Sequence, residues 1–481
     1  MSATATPDPR RWKALAVLGV AYLMVVLDIS IVNVALPSIE TDLNFAREDL
    51  QWVVSGYALT FGGLLLLGGR LGDLLGRRNL FMVGLGLFAL ASLLCGLSVS
   101  AGMLIAMRLL QGAAGAILSP SVFSITTVTF AEGAERNKAL GILGAIAGSG
   151  AAIGVLLGGI LTEYAGWEWI FFVNVPIGVL ALLAVPRYVS ESRATDLARH
   201  FDAAGAITVT SSLMIFVYAL TQTTNVGWSS FQTIGLFILS AVLMVAFFFI
   251  EARSRSPLVP LGIFKRRTLV GANTVGFGLG TAIFGMFFLL SLYMQQVLGF
   301  SALQTGVGYL AVALTAVGAS GVAQALVTRL GVKPVLATGL SLLAAGLIFF
   351  TQVSVDGSYV SDLLPGFLLV GVGLGFSFVP VSIAALAGAT DKEAGLQSGL
   401  INTSQQIGGA LGLAILSTVA TTRTENLVEE GVSQAVALTD GFSLAFWVGA
   451  AVAIVSVVAT LVLLKREEVG TEPETAGAPV G

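Results

Sequence analysis

Residues 50–97 read LQWVVSGYALTFGGLLLLGGRLGDLLGRRNLFMVGLGLFALASLLCGL, and this stretch decides the fold class. Two apolar runs, Leu50–Gly68 and Leu80–Leu97, flank the charged loop Gly69–Arg78. Each run has about 20 residues, which is the length that a helix needs to cross a bilayer. Neither run alternates with a period of two, so the pattern predicts membrane-spanning helices rather than strands.

The composition of the whole chain agrees with this interpretation. Of 481 residues, 56% are hydrophobic and 11% are charged, against roughly 25% charged in a soluble domain. The net charge of −3 argues against a nucleic-acid partner. One cysteine, Cys95, and one histidine exclude a disulfide framework and a His-rich metal site. We therefore predict a bilayer protein without a metal or cofactor. We also expect the protein to function as a monomer.

Apolar runs of this length recur along the chain and predict an all-α membrane protein with fourteen transmembrane helices. If the N-terminus is cytoplasmic, 21 of the 24 Lys and Arg residues fall in predicted cytoplasmic segments. Only Arg47 and Arg423 fall outside, and Arg108 lies within a span. This asymmetry follows the positive-inside rule. It predicts a multi-pass protein of the cell membrane with both termini in the cytoplasm.

A weak internal repeat divides the spans. Leu75–Arg78 (LGRR) follows the second predicted helix, and Leu330–Lys333 (LGVK) follows the tenth. This offset of eight helices predicts an N-terminal six-helix bundle (1–200), two inserted linker helices (201–255), a C-terminal six-helix bundle (256–466) and a disordered cytoplasmic tail (467–481). Repeated halves with a substrate site between them are typical of secondary transporters. No G-x-x-x-x-G-K-[ST] motif for a nucleotide is present.

Asp28 lies in the middle to outer part of the first span, and it is the only acid that we place deep within one. An ionisable group at this depth is costly and marks ion or proton pathways. Desolvation favours its neutral form, so the carboxyl can bind and release a proton. We predict a proton or cation site, and the alternative is a carboxyl locked in an ion pair or hydrogen-bonded to a helix.

Arg108 lies early in the fourth span. Because arginine keeps its proton, it needs a partner or a wet cavity within the membrane. It can therefore bias the proton affinity of Asp28. The alternative is that it caps carbonyls or extends toward the membrane surface.

The loop after the second span is too charged to be buried and too short to be a domain. Asp73 can cap the next helix or pair with arginines across a moving interface, whereas a plain positive-inside anchor is the alternative. The residues of this candidate conformational latch are Gly69, Arg70, Asp73, Gly76, Arg77 and Arg78.

The fifth span is rich in glycine. Gly144 and Gly148, and Gly154 and Gly158, are spaced by four residues and form small-x-x-x-small pairs. Such pairs let two membrane helices approach closely. We predict a tight helix contact there that can slide or hinge.

These motifs together resemble the major facilitator superfamily in its fourteen-helix drug:proton antiporter branch. The Gly69–Arg78 loop is similar to the superfamily's cytoplasmic signature, and Leu27–Pro37 to the first-helix signature of that branch. Arg108 with Gln111-Gly112 resembles the fourth-helix signature. Further similarity lies in Trp167–Trp169 and Phe172–Gly178. Two departures are Val155 where the antiporter signature has proline after glycine, and the absence of an acid from the tenth span.

The resemblance implies roles for these residues. Asp28 would couple protons, Arg108 would tune it, and Asp73 with Arg70 and Arg77 would latch the inward-closed state. The fifth helix would form the contact between the halves. The implied activity is proton-coupled export of small lipophilic drugs or antibiotics.

The inner spans offer few polar positions, which disfavours an importer of sugars or amino acids. A mostly apolar pocket with a few polar groups accepts many drug-sized molecules. A dedicated exporter of an endogenous metabolite or lipid-like product stays open as the alternative, whereas a sensor or scaffold would need a signalling domain. The candidate substrate-lining residues are Asn33, Gln111, Asn273, Gln324, Asn402 and Gln405.

Overall fold

The computed structural model describes residues 9–45, 50, 52–131, 133–192, 202–254, 257–389 and 393–464. The long helices, numbered in chain order, are α1 (Arg11–Asp42), α2 (Trp52–Leu75), α3 (Arg77–Gly96), α4 (Ala101–Thr129), α5 (Ala134–Tyr164), α6 (Asn174–Tyr188), α7 (Ala203–Val226), α8 (Phe231–Arg253), α9 (Arg267–Leu292), α10 (Leu310–Leu330), α11 (Val332–Phe350), α12 (Leu364–Ala385), α13 (Ala394–Glu429) and α14 (Gln434–Leu463). Short helical segments lie at Trp169–Phe172, Leu261–Lys265, Tyr293–Val297, Ala302–Gly308 and Tyr359–Leu363.

The prediction of an all-helical membrane protein is confirmed, since these ranges contain no β-strand. Eleven helices within them are long and apolar enough to cross a membrane. The long helices outside that set are α5, α7 and α13. In α13 the polar residues Asn402, Gln405 and Gln406 lower the hydropathy. The count of fourteen crossings stays a prediction, and the predicted tail 467–481 lies outside the described residues.

The helix contacts of the first half recur in the second half. Each helix of the first half corresponds to the helix whose number is eight higher. The pairs α1–α5, α2–α4, α3–α4 and α3–α6 recur as α9–α13, α10–α12, α11–α12 and α11–α14. The two halves meet where α5 contacts α10. The corresponding helices, α13 and α2, form the matching contact. Helices α7 and α8 have no counterpart; they pack on each other, and α7 contacts both α2 and α13.

The repeated Leu-Gly dipeptide has the same backbone role in both halves. Gly76 between α2 and α3 has φ of 107°, and Gly331 between α10 and α11 has φ of 85°. Both values lie in the left-handed region that glycine adopts without steric cost. Each glycine therefore turns the chain sharply from one long helix into the next.

We call the end of the molecule at which α1 begins and α14 ends the termini end. The two halves touch directly there, because a Cβ at Gly69 of α2 would overlap the carbonyl oxygen of Gly395 on α13. A Cβ on Gly399 would lie 3.1 Å from the carbonyl oxygen of Leu65. Glycine at these positions lets α2 and α13 approach backbone to backbone.

Candidate functional site

Asp28 and Arg108 form a buried ion pair in the first half of the molecule. Asp28 lies midway along α1 and is 0% exposed, and Arg108 lies near the start of α4 and is 1% exposed. The Nη1 of Arg108 lies 2.5 Å from Oδ2 of Asp28. The carboxylate therefore has its counter-ion in direct contact, with both groups shielded from solvent.

Amide side chains complete the surroundings of the carboxylate. Gln111 donates from Nε2 to Oδ1 of Asp28 at 2.8 Å and to the hydroxyl of Ser92, also at 2.8 Å. Its Oε1 accepts a hydrogen bond of 2.7 Å from Arg108. Asn174 donates to the same Oδ1 at 3.3 Å. Four helices, α1, α3, α4 and α6, thus converge on this group.

Helix α2 and an aromatic ring hold Arg108 from the other side. Its Nε donates to the carbonyl of Val53 at 2.8 Å. Its guanidinium carbon lies 4.5 Å from the ring centre of Tyr57 and 5.7 Å from that of Phe171. A ring face attracts a cation most strongly when both are desolvated. These contacts keep Arg108 in place independently of Asp28.

The arrangement has a simple electrostatic property. With Asp28 ionised, the pair carries no net charge, and with Asp28 protonated it carries one uncompensated positive charge. A low-dielectric environment makes that difference large. Protonation of one buried carboxyl can therefore change the packing energy of four helices at once.

The first part of the predicted latch lies where the two halves touch. Gly69 forms the close contact with Gly395 described above. Arg70 is largely buried and donates to the carbonyl of Pro257 at 3.4 Å. The side chain of Asp73 lies outside the described residues. The structure thus shows Arg70 reaching the segment between α8 and α9.

The second part of the predicted latch contacts the end of α6. The backbone N–H of Arg77 donates to the carbonyl of Ser192 at 3.1 Å, and the Arg77 side chain is buried. Glu191 accepts from the backbone N–H of Arg78 at 3.2 Å. Gly76 forms the turn that begins α3. These residues tie helices of the same half together.

The glycines of α5 serve two different neighbours. Gly144 faces Val379 of α12 in the other half, where a Cβ would lie 2.9 Å from the Val379 Cα. Gly154 and Gly158 face α1 in their own half. Gly148 belongs to α5, but its surroundings lie outside the described part of the structure.

Two of the predicted substrate-lining residues join neighbouring helices. Asn402 of α13 accepts from the hydroxyl of Ser119 on α4 at 3.1 Å, which links the two halves. Asn273 of α9 accepts from Ser404 of α13 at 2.9 Å. Asn402 therefore bridges the two halves, whereas Asn273 joins α9 to α13 within the second half.

The other predicted lining residues are spread over different surroundings. Gln111 belongs to the Asp28 cluster and is buried. Gln324 packs against Gly141 of α5 near the termini end, and Gln405 is half-buried beside α9. The side chain of Asn33 lies outside the described residues.

Three residues of the structure were missed by the sequence interpretation. Ser92 and Asn174 contact the Asp28 cluster. The signal for Ser92 was an isolated polar residue in an apolar run, and Asn174 also lies in the Phe172–Gly178 motif. Glu251, which we did not single out when we placed only Asp28 deep within a span, belongs to α8 and is 4% exposed. Its carboxylate accepts from the backbone N–H groups of Leu258 and Val259 at 3.1 and 3.3 Å.

The chain is similar in sequence to proteins named for antibiotic resistance, antibiotic export and multidrug resistance. The puromycin resistance protein pur8 of Streptomyces alboniger is 39% identical over 480 residues, covering 98% of this chain and 95% of the relative. The cephamycin export protein CmcT of Amycolatopsis lactamdurans is 38% identical over 410 residues, 84% of each chain. The multidrug resistance protein Stp of Mycobacterium tuberculosis is 32% identical over 422 residues, 88% of this chain and 78% of the relative.

Two solved structures share the fold of this chain, and a family model matches its sequence. The human organic anion transporter MFSD10 (TETRAN) superposes with a TM-score of 0.69 at 16% identity, covering 94% of this chain and 100% of that one. The proton:xylose symporter XylE superposes with a TM-score of 0.66 at 13% identity, covering 93% and 94%. The model of the Major Facilitator Superfamily matches residues 18–413. The chain is therefore a member of the major facilitator superfamily.

Proposed function

We propose that this protein is a proton-coupled antiporter that exports small lipophilic antibiotics or drugs across the cell membrane. The observation that carries the proposal is the buried pair of Asp28 and Arg108, held by Gln111 and Asn174. Relatives named for antibiotic resistance, antibiotic export and multidrug resistance support the direction of transport and the class of substrate.

The coupling follows because Arg108 with its neighbouring amides and an incoming proton compete for the Asp28 carboxyl. When Asp28 is ionised, Arg108 and Gln111 contact its carboxylate, and a proton arriving from outside cancels that charge. The uncompensated charge on Arg108 then favours a different arrangement of α1 and α4. Substrate and proton bind to different arrangements of the two halves, so each drives the other across.

We assign the division of the chain as residues 1–200, 201–255 and 256–466, and place the termini end in the cytoplasm. The candidates for polar contacts with a substrate between the halves are Asn33, Gln111, Asn273, Gln324, Asn402 and Gln405. The positive charges of the predicted cytoplasmic loops support this orientation.

A specific observation also favours a second candidate. The two relatives of highest identity reported above are named for single antibiotics, puromycin and cephamycin. A dedicated exporter of one endogenous secondary metabolite would have the same fold and the same proton site. Breadth of substrate separates the two candidates.

A growth-inhibition panel in an efflux-deficient bacterial host tests the function. Expression of the protein should raise the inhibitory concentrations of several unrelated lipophilic compounds, and dissipating the pH gradient should remove this protection. Protection against one compound only would select the dedicated exporter. Protection against none, with the protein in the membrane, would contradict both candidates.

The topology gives the first prediction. Reporter fusions after Gly227, between α7 and α8, should report the outside, and fusions after Arg255 should report the cytoplasm. The reason is that α7 must cross the membrane once and α8 must return. A cytoplasmic signal at Gly227 would contradict both the fourteen crossings and the assigned orientation.

The proton site gives the second prediction. Among the described carboxylates only Asp28 and Glu251 are buried, and Glu251 lies at the termini end, so one proton should exchange per substrate. Export of a monocation such as ethidium would then move no net charge. Export of a neutral molecule such as chloramphenicol would move one charge inward and gain ~2.3 kcal/mol per 100 mV.

In proteoliposomes, collapsing the voltage alone should therefore slow export of the neutral compound and spare that of the monocation. Collapsing the pH gradient alone should slow both. Robust export of a dication by a variant lacking the Asp28 carboxylate would show that coupling resides elsewhere.

A further inference from the structure

Residues 257–259, which precede α9, lie near the contact between the halves at the termini end. We call Pro257, Leu258 and Val259 the strap. Leu258 and Val259 are 2% and 1% exposed. They belong to one buried apolar cluster with Leu66 of α2 and Leu396 of α13. Through this cluster the strap is connected to a helix of each half, and its contact with Arg70 places it near the close approach of Gly69 to Gly395.

The backbone of the strap is held from two directions. Glu251 at the end of α8 accepts from the N–H groups of Leu258 and Val259, one to each carboxylate oxygen. Arg70 at the end of α2 donates to the carbonyl of Pro257. The inserted helices hold the N–H side of the strap, and the first half holds its carbonyl side.

The surroundings of Glu251 are built for its carboxylate. Gly205 at the start of α7 leaves room for it, since a Cβ there would lie 2.7 Å from Oε1 of Glu251. Among the described residues, the charged groups that act on it are Asp202, which caps α7, and Arg70. A buried carboxylate paired with two backbone donors is costly to replace, because its loss leaves donors without partners.

From this geometry we infer that Glu251 is a positioning residue of the transport cycle, which fixes the strap across α2 and α13 and so holds the termini end closed. The inserted pair α7–α8 thereby becomes part of the gate. When the halves separate at this end, the strap can follow only one of them, and its apolar contacts with the other are lost. The inference rests on the proposed function only in that it requires the two halves to separate during transport.

The test measures the opening of the termini end directly. Spin labels at Leu75→Cys on α2 and Thr328→Cys on α10 report the distance between the halves, because both positions are exposed and lie at that end. The native Cys95 is fully buried and can remain. In nanodiscs we expect Glu251→Gln to raise the ratio of long to short distances roughly tenfold, the equivalent of about 1.4 kcal/mol.

Glu191→Gln is the matched control. Glu191 also lies at the termini end and accepts from two consecutive backbone N–H groups, those of Arg78 and Asn79, but within one half. It should lower thermal stability to a similar extent without changing the distance distribution. A purely structural role for Glu251 predicts that both variants behave alike.

A Glu251→Gln distribution that superposes on that of the unmodified protein would overturn the inference, as would an equal shift in Glu191→Gln. Neither result depends on transport, so the proposed function is judged separately by the growth panel. An increase in long distances confined to Glu251→Gln supports the strap.

Discussion

Replacing Asp28 by asparagine is expected to lower proton-driven export by on the order of 100-fold or more, since a positioned proton-transfer group contributes 10²–10⁴-fold. Asparagine keeps the size of the side chain and can still accept from Gln111, but it cannot exchange a proton. Drug accumulation in inverted vesicles with an imposed pH gradient measures the effect. Binding of the drug to the purified variant should persist.

Asp42→Asn is the control for this experiment. Asp42 ends the same helix, and its carboxylate accepts from the indole N–H of Trp167 at 2.9 Å, far from Arg108. We expect it to keep nearly normal export. Full pH-driven export by Asp28→Asn would show that the ion pair has a structural role only.

Removing Arg108 should have the largest effect on stability. Arg108→Gln leaves the Asp28 carboxylate buried without a counter-ion, and breaking a buried pair in this way costs about 3–5 kcal/mol. Thermal unfolding in detergent should therefore begin at a clearly lower temperature. The contacts of Arg108 with Val53 and the Tyr57 ring are lost as well, which adds to the cost.

Combining Arg108→Gln with Asp28→Asn should recover most of this stability but none of the coupling. The double variant has two neutral groups where the single variant has one buried charge. The recovery of stability should be incomplete, because the contact of Arg108 with the Tyr57 ring is still missing. A double variant as unstable as Arg108→Gln alone would mean that the pair is not the source of the loss.

The polar residues of the Asp28 site illustrate what could be predicted from the sequence. Their depth follows from their position in an apolar run, and this was enough to single out Asp28 and Arg108. The direction in which each side chain leaves its helix depends on how the helices are rotated against each other. That is why Gln111 was assigned to the substrate path although it contacts Asp28, and why Ser92 and Asn174 were not assigned at all.

The termini end shows a different limit. Only Asp28 was placed deep within a span, and Glu251, near the end of α8, was not singled out. Its burial depends on Gly205, which lies more than forty residues earlier, and on the backbone of Leu258 and Val259. No local pattern in the sequence contains such a contact.

The offset between the two halves is an even number of helices, eight, and this fixes the direction in which the second half runs. Because the inserted segment is a pair, α9 begins at the same end of the molecule as α1, and every helix of the second half runs in the same direction as its counterpart. A single inserted helix would have turned the second half upside down and faced α13 with the wrong end of α2. Two helices are thus the smallest helical addition that this duplicated architecture tolerates at its midpoint.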